Sequence, residues 1–449
     1  EPSETVARWL YERRAPSRTR LHFVSMTGMT FERSVLSNGL RLVMAPMPEA
    51  RSVTCMIMVA AGSRYETRES NGIAHFSEHM FFKGTDRRPT ARDIAAEVDA
   101  IGGEFNAFTG KEYTGYYVRC AAESRPLALD VLVDMIRHSK FDSGEIEREK
   151  GVIVEEMNMY FDSPRDYVDS IYESLLFGDQ PLGWDVIGTK ETVKAATRDT
   201  FVDYLGRWYV PSRMVVGLGG RLDGDMRAEV EKLLGDLAPS DTGSPLQAEI
   251  PAPTKPRVKV QHKTSDQAHL ILGTLSQPTQ HPDRYVLQVL AAILGGGMSS
   301  RLFTEVRERR GLAYYIFCHN STYAETGTLC AQAGVDLNRV DEAIETIVAE
   351  FRRIVDEPVP EAELAKAKEF MKGRLVLQLE SPQGLISFGL RREVIEGGAV
   401  DPAEVLAGLD AVSLDDITRV AHEIIGERAL HLALIGPFED GEHFERLLA

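Results

Sequence analysis

The chain of 449 residues is too long for one ordinary core, and its 43% hydrophobic and 27% charged residues suit a soluble globular protein of two or more domains. A net charge of −17 argues against a general nucleic-acid binder and favours basic or neutral partners. The four cysteines (Cys55, Cys120, Cys318, Cys330) lie far apart with no Cys-x-x-Cys, which argues against a thiol zinc site or disulfide framework and fits a reducing, cytoplasmic compartment.

Residues 1–29 mix Arg8, Arg13, Arg14, Arg18 and Arg20 with serines, but Glu1, Glu4 and Glu12 spoil a transit-peptide pattern, so a poorly ordered extension is expected, with Met26 and Met29 as alternative starts. Apolar runs such as Met56 to Ala61 are far too short for a membrane span. Val35 to Val43 reads as a hairpin, with Asn38-Gly39 supplying the positive φ angles of a tight turn. Val53 to Ala60 continues the sheet. Gly72 to Gly84 reads as a helix, and a second follows Pro89-Thr90, with Ile94, Val98 and Ile101 at i, i+4 and i+7 and Gly102-Gly103 ending it. Glu104 to Thr109 and Tyr113 to Cys120 read as hairpin strands around Gly110-Lys111, and Pro126 opens a helix with Ala128, Val131, Leu132 and Met135 on one face. Hairpins mixed with long helices predict an α+β layered fold rather than a doubly wound parallel one.

Within the first of these helices His75, Glu78 and His79 share a face, because residues three and four apart are neighbours on a helix. Two imidazoles beside a carboxylate are what a metal site needs when two histidines hold the ion and the carboxylate handles a water proton. The order His-x-x-Glu-His is that of the inverzincins. Surface or satisfied core histidines fit the same spacing, and the three residues leave a third ligand to find. The helix from Glu145 to Tyr160 offers one. Its apolar face is read as Ile146, Val152, Ile153 and Tyr160, and Glu149 and Glu156, seven apart, fall on it. Two carboxylates on an apolar stripe are costly unless a cation compensates them, which a divalent metal would do. A solvated acidic face beside Arg148 and Lys150 is the other reading of that pattern.

The chain also repeats itself. Asp199 to Gly220 resembles Asp415 to Gly436, and Phe141-Asp-Ser-Gly-Glu-Ile resembles Val359-Pro-Glu-Ala-Glu-Leu. The proline-rich stretch 238–256 reads as a linker between homologous domains at 30–237 and 257–449. In the second copy Ala367 and Arg374 stand at the spacing of the two glutamates, and no histidine lies near Ile293 to Gly297. Gly295-Gly-Gly lacks the lysine of a phosphate loop and is expected to permit a tight approach to a helix.

Together these motifs resemble the pitrilysin (inverzincin) family of zinc metallopeptidases, in particular its half-length group, which includes the mitochondrial processing peptidase subunits and bacterial processing-protease-like proteins. The resemblance runs from about Thr30 to the C-terminus. It rests on His75-Phe-Ser-Glu-His79, Glu149 to Glu156, Gly102-Gly-Glu-Phe-Asn-Ala-Phe-Thr109 and Arg307 to Tyr314. It implies one Zn2+ per chain on His75, His79 and Glu156, with Glu78 as general base and Glu149 in support. It implies Arg307 and Tyr314 as donors to the substrate carbonyl, and the strand carrying Phe105, Asn106 and Ala107 as the edge to which a peptide substrate adds. It further implies a chamber of four such domains. This chain supplies two, so a homodimer is expected, or a heterodimer with a metal-less paralogue, in which Arg307 and Tyr314 of one subunit reach the zinc of the other. The function implied is endopeptidase cleavage of unfolded peptides or extended precursor segments; the alternative is a non-catalytic peptide-binding or assembly subunit.

Overall fold

The apolar runs read as strands assemble into two sheets in the computed structural model, which describes residues 30–240, 247–250, 253–398 and 401–448. The expected extension at 1–29 and parts of the 238–256 linker lie outside the described residues. The first sheet contains β1 (Glu32–Val35), β2 (Arg41–Pro46), β3 (Ser52–Val59), β4 (Glu104–Thr109), β5 (Thr114–Ala121) and β6 (Met214–Gly220), in the order β1-β2-β6-β3-β5-β4. Its half of the chain carries helices α1 (Ile73–Phe81), α2 (Ala91–Ala100), α3 (Arg125–His138), α4 (Ser143–Asp162), α5 (Pro164–Phe177), α6 (Lys190–Ala195), α7 (Arg198–Trp208) and α8 (Met226–Leu234). The second sheet contains β7 (Arg257–His262), β8 (Gln267–Ser276), β9 (Ala313–Thr322), β10 (Gly327–Asp336) and β11 (His431–Gly436), in the order β7-β11-β8-β10-β9. With it go α9 (Arg284–Gly295), α10 (Val340–Asp356), α11 (Glu361–Leu379), α12 (Pro382–Glu396), α13 (Pro402–Ala411), α14 (Leu414–Ala421) and α15 (Glu442–Leu448).

Without β1 the two orders coincide strand for strand, and in each the one parallel pair joins the first strand of the set to the last, β2 to β6 and β7 to β11. The fold is therefore α+β, two layered domains of one design related by duplication. The repeat read in the sequence is a helix followed by the inserted central strand. Strands β4 and β9 are the corresponding open edges.

The halves exchange helices. Helix α5, from the first half, packs on β7, β8 and β11, and buries Val168, Ile171 and Leu176 against Ile271 and Ile435. Helix α12, from the second, packs on β2, β3 and β6. Gly217 and Gly219 of β6 make that approach possible, since a Cβ at Gly217 would stand 2.4 Å from Leu390 Cδ1 and one at Gly219 2.7 Å from the Pro382 carbonyl. Buried Glu393 of α12 ties Arg33 at 2.8 Å and Arg41 at 3.3 Å, and buried Arg64 pairs with Glu112 and with Glu325 of the β9–β10 turn at 2.6 Å. Each sheet is thus completed by the other half.

Three local expectations change. The β1–β2 connection runs from Leu36 to Leu40, and Gly39 alone has positive φ, at 89°; Asn38 instead points its amide at the Leu234 and Leu237 carbonyls. On α4, Val152 and Tyr160 are 51% and 43% exposed, so the buried stripe is Ile146, Glu149 and Ile153. At Gly295 the tight approach is to a strand, because a Cβ there would meet the Cys318 nitrogen of β9 at 2.2 Å; Gly297 faces Phe370 of α11. The four cysteines are buried and free, and no helix among the described residues is long and apolar enough to cross a membrane.

Candidate metal centre

Helix α1 is fixed by its apolar side. Ile73, Ala74, Phe76, Met80 and Phe81 are buried, Phe76 lies edge-on to Phe201 at 4.8 Å, and Phe81 edge-on to Tyr116 at 5.0 Å. Anchoring that side turns His75, Glu78 and His79 toward β4 and α4. The helix start has no capping side chain of its own; buried Glu66 serves instead, accepting from Ala74 N at 2.7 Å and Gly72 N at 2.8 Å.

From the facing side α4 brings Glu149 and Glu156. Glu156 Oε2 lies 3.3 Å from His79 Nε2 and 3.7 Å from His75 Nε2. One ligand atom from each of these three residues fits within a span of 4.8 Å, and they are the one such group of three or more among the described residues. Glu156 Oε2 is buried, and the two imidazole nitrogens face it without a well-formed hydrogen bond. A carboxylate oxygen in that state is costly, and a cation between it and the two imidazoles removes the cost. Two nitrogens and one oxygen form the protein donor set of a catalytic zinc, so the residues fit that ion.

The electrostatics agree with such a site. Burial and the neighbouring His79 push His75 down to about 4, leaving its imidazole neutral and able to ligate. Burial lowers His79 too, but Glu149 and Glu156 outweigh it and raise His79 to about 9 without metal. Burial raises Glu78 above the usual carboxylate range, while a 2.5 Å hydrogen bond donated by Thr109 Oγ1 opposes it. Glu149 Oε1 meets His79 Nδ1 at 2.9 Å and its Oε2 meets Lys83 Nζ at 2.6 Å; these partners outweigh burial and hold Glu149 below the ordinary range. Glu149 therefore orients one imidazole from behind. Glu155 is exposed.

The edge strand β4 passes beside α1, where Phe105 contacts Phe82 at 5.5 Å, and Asn106 is exposed with its Oδ1 accepting from Ala107 N at 2.8 Å. Arg307 and Tyr314 are brought to each other, the guanidinium 5.7 Å from the ring centre, on a π-helical turn and on β9. No hydrogen bond, ion pair or ring contact joins them to the histidine–glutamate cluster among the described residues. Thr109, Lys83 and Glu66 are site residues that the sequence reading did not single out. Lys83 lies four after His79 and was readable by the helical rule; the other two depend on tertiary placement.

Residues 41–190 match the family described as insulinase (peptidase family M16), and residues 195–371 match the peptidase M16 inactive domain. The uncharacterized zinc protease YmxG of Bacillus subtilis (strain 168) is 38% identical over 410 residues, which cover 90% of this chain and 98% of that one. This chain belongs to peptidase family M16. Another relative, the uncharacterized zinc protease SCO5738 of Streptomyces coelicolor, is 36% identical across 97% of this chain and 96% of its own. The fold is that of a protease from Helicobacter pylori, with a TM-score of 0.84 at 22% identity over 91% of this chain and 99% of that one. A peptidase M16 inactive domain from Pseudomonas fluorescens gives 0.82 at 18% identity over the same shares. The insulinase match contains His75, His79 and Glu156, and the inactive-domain match contains Ala367, which stands in the second half at the spacing of Glu149.

Proposed function

We propose that this M16 protein is a zinc metalloendopeptidase that cleaves unfolded peptides or extended precursor segments. The observation that carries the reading is the convergence of buried Glu156 Oε2 with the Nε2 atoms of His75 and His79, with Glu78 alongside. A zinc ion held by those three residues would supply Lewis acidity, acidifying water and polarising a peptide carbonyl. Glu78, raised by burial and held by Thr109, takes the proton of the attacking water and delivers it to the leaving amine. Glu149 keeps the His79 ring oriented, with Nε2 turned to the ligand side. A substrate lies extended along β4, its backbone pairing with the open edge beside Phe105, Asn106 and Ala107, so affinity depends little on sequence. Arg307 and Tyr314 of a second copy donate hydrogen bonds to the carbonyl that gains charge, and the working unit is a dimer enclosing both sites. The names of the zinc-protease relatives point the same way.

The test is cleavage of a quenched-fluorescent peptide library by the wild type beside Glu78→Gln, with metal content determined on both. Cleavage by the wild type alone, with about one zinc on each chain, is the expected result. Zinc on both with cleavage by neither would make this a peptide-binding subunit, and metal on neither would overturn the assignment of the three ligands.

A further inference from the structure

The second half keeps a counterpart of the metal cleft and inverts its charge. Two registers locate it. Thr109 ends β4 opposite Thr114, and Thr322 ends β9 opposite Gly327, so the two threonines hold equivalent places at the mouths of equivalent hairpins. Aligning Phe141 with Val359 places Arg374 of α11 at the position of Glu156 of α4. Thr322 and Arg374 line one cavity of about 540 Å³, bounded by α9, α11, α12, α13 and the edge strand β9.

Four arginines, Arg284, Arg374, Arg391 and Arg392, line that cavity against one glutamate, Glu396, which pairs with Arg392 at 3.2 Å. The other three have no carboxylate partner within ion-pair distance among the described residues. Arg284 Nε is buried and has no hydrogen-bond partner. Guanidinium groups that share one cavity repel one another, and an anion would relieve that repulsion and accept from Arg284, even though the chain as a whole carries −17. The floor is apolar, formed by Leu375, Phe388 and Leu409, and β9 offers an open backbone edge beside it. A bare ion would leave both unused; a peptide with acidic side chains would use both.

We propose that this cavity is a second peptide site, which takes the carboxylates of an acidic segment on Arg374, Arg391 and Arg284. Arg374 brings a positive charge to the place where the first half has the carboxylate of Glu156. Binding here is independent of the metal centre; its consequence for cleavage rests on the peptidase reading above.

Fluorescence anisotropy on full-length Glu78→Gln protein, which leaves bound peptide intact, would compare labelled peptides that differ only in four consecutive Glu, Gln or Lys residues. The Glu peptide is expected to bind about tenfold or more tighter than the Gln peptide at low salt, with the gap narrowing as sodium chloride is added. Adding Arg374→Gln and Arg391→Gln, both at exposed positions, should bring the Glu peptide to the level of the Gln peptide without moving the melting temperature. Equal binding of the Glu and Gln peptides, or a preference that survives the double substitution, would overturn the proposal. So would inorganic phosphate or free glutamate binding as tightly as the Glu peptide, since the site would then serve a small anion. In active protein the same two substitutions should raise KM for a substrate with an acidic flank about tenfold and leave kcat, and all cleavage of the Gln-flanked substrate, unchanged. Acidic-peptide binding without any cleavage by the wild type would end the peptidase reading and leave this site standing.

Discussion

In the proposed zinc site Glu149 would serve the metal without holding it. It is 4% exposed, lies 2.9 Å from His79 Nδ1 and is pinned from its other oxygen by Lys83. Its carboxylate leaves Nε2 of His79 facing Glu156 and would make that nitrogen a better ligand for a metal. Glu149→Gln keeps the shape but loses the charge, and leaves Lys83 without its anion. Zinc affinity, read by competition with a chelating dye, should fall about 10–100-fold, whereas Glu78→Gln should hold zinc close to the wild-type level. Unchanged affinity in Glu149→Gln would remove Glu149 from the centre. The residues that the sequence made legible are those whose relation is helical: His75, Glu78 and His79 at three- and four-residue steps, Glu149 and Glu156 at seven. Thr109 was not legible, because its bond to Glu78 spans 31 residues and exists only once the edge strand lies beside α1. Val152 misled because it is apolar, yet it sits one residue, about 100° of helix, from buried Ile153.

At the scale of elements, the position of α1 depends on its first turn as much as on its apolar side. Glu66 is fully enclosed, with Gly72 N, Ala74 N and the Asn71 amide as its donors. Burial pushes it up to about 8, against the pull of those donors. An acid raised in this way binds its proton in the folded chain over a range where the unfolded chain has released it. Its contribution to stability is therefore complete below the unfolded value of 4.5 and declines as pH rises toward 8. Denaturant unfolding at pH 5, 6, 7 and 8 should show wild type losing stability relative to Glu66→Gln with a slope approaching about 1.4 kcal/mol per pH unit. A difference that stays flat across the range would mean that Glu66 is ionised in the fold. Most strands and helices up to α4 were legible from period and turn chemistry, and the repeat pointed to a second domain of the same design, whereas the common strand order came only with the fold. The exchange of α5 and α12 was not, because an apolar helix face specifies that it will be covered and not which sheet will cover it.

For the whole molecule, the question is what completes the site. Tyr314 is 75% exposed, and the Arg307 guanidinium lies over the rings of Phe303 and Tyr314, with no contact to the histidines among the described residues. A donor pair so placed can serve the substrate of another copy, and a two-fold arrangement would give each metal centre the pair from its neighbour. Co-expression of a Glu78→Gln chain with an Arg307→Ala chain separates the alternatives. If the pair acts across the interface, a mixed dimer contains one site with both residues intact and one with neither. Random pairing makes half of the dimers mixed, so activity should return to about a quarter of wild type although each parent alone is inactive. If the pair acts within its own chain, every site in every dimer lacks one of the two residues and nothing is recovered. Sizing the co-expressed protein while it is assayed ties the recovered activity to the dimer, because a monomer carrying either substitution has no means of regaining the residue it lacks.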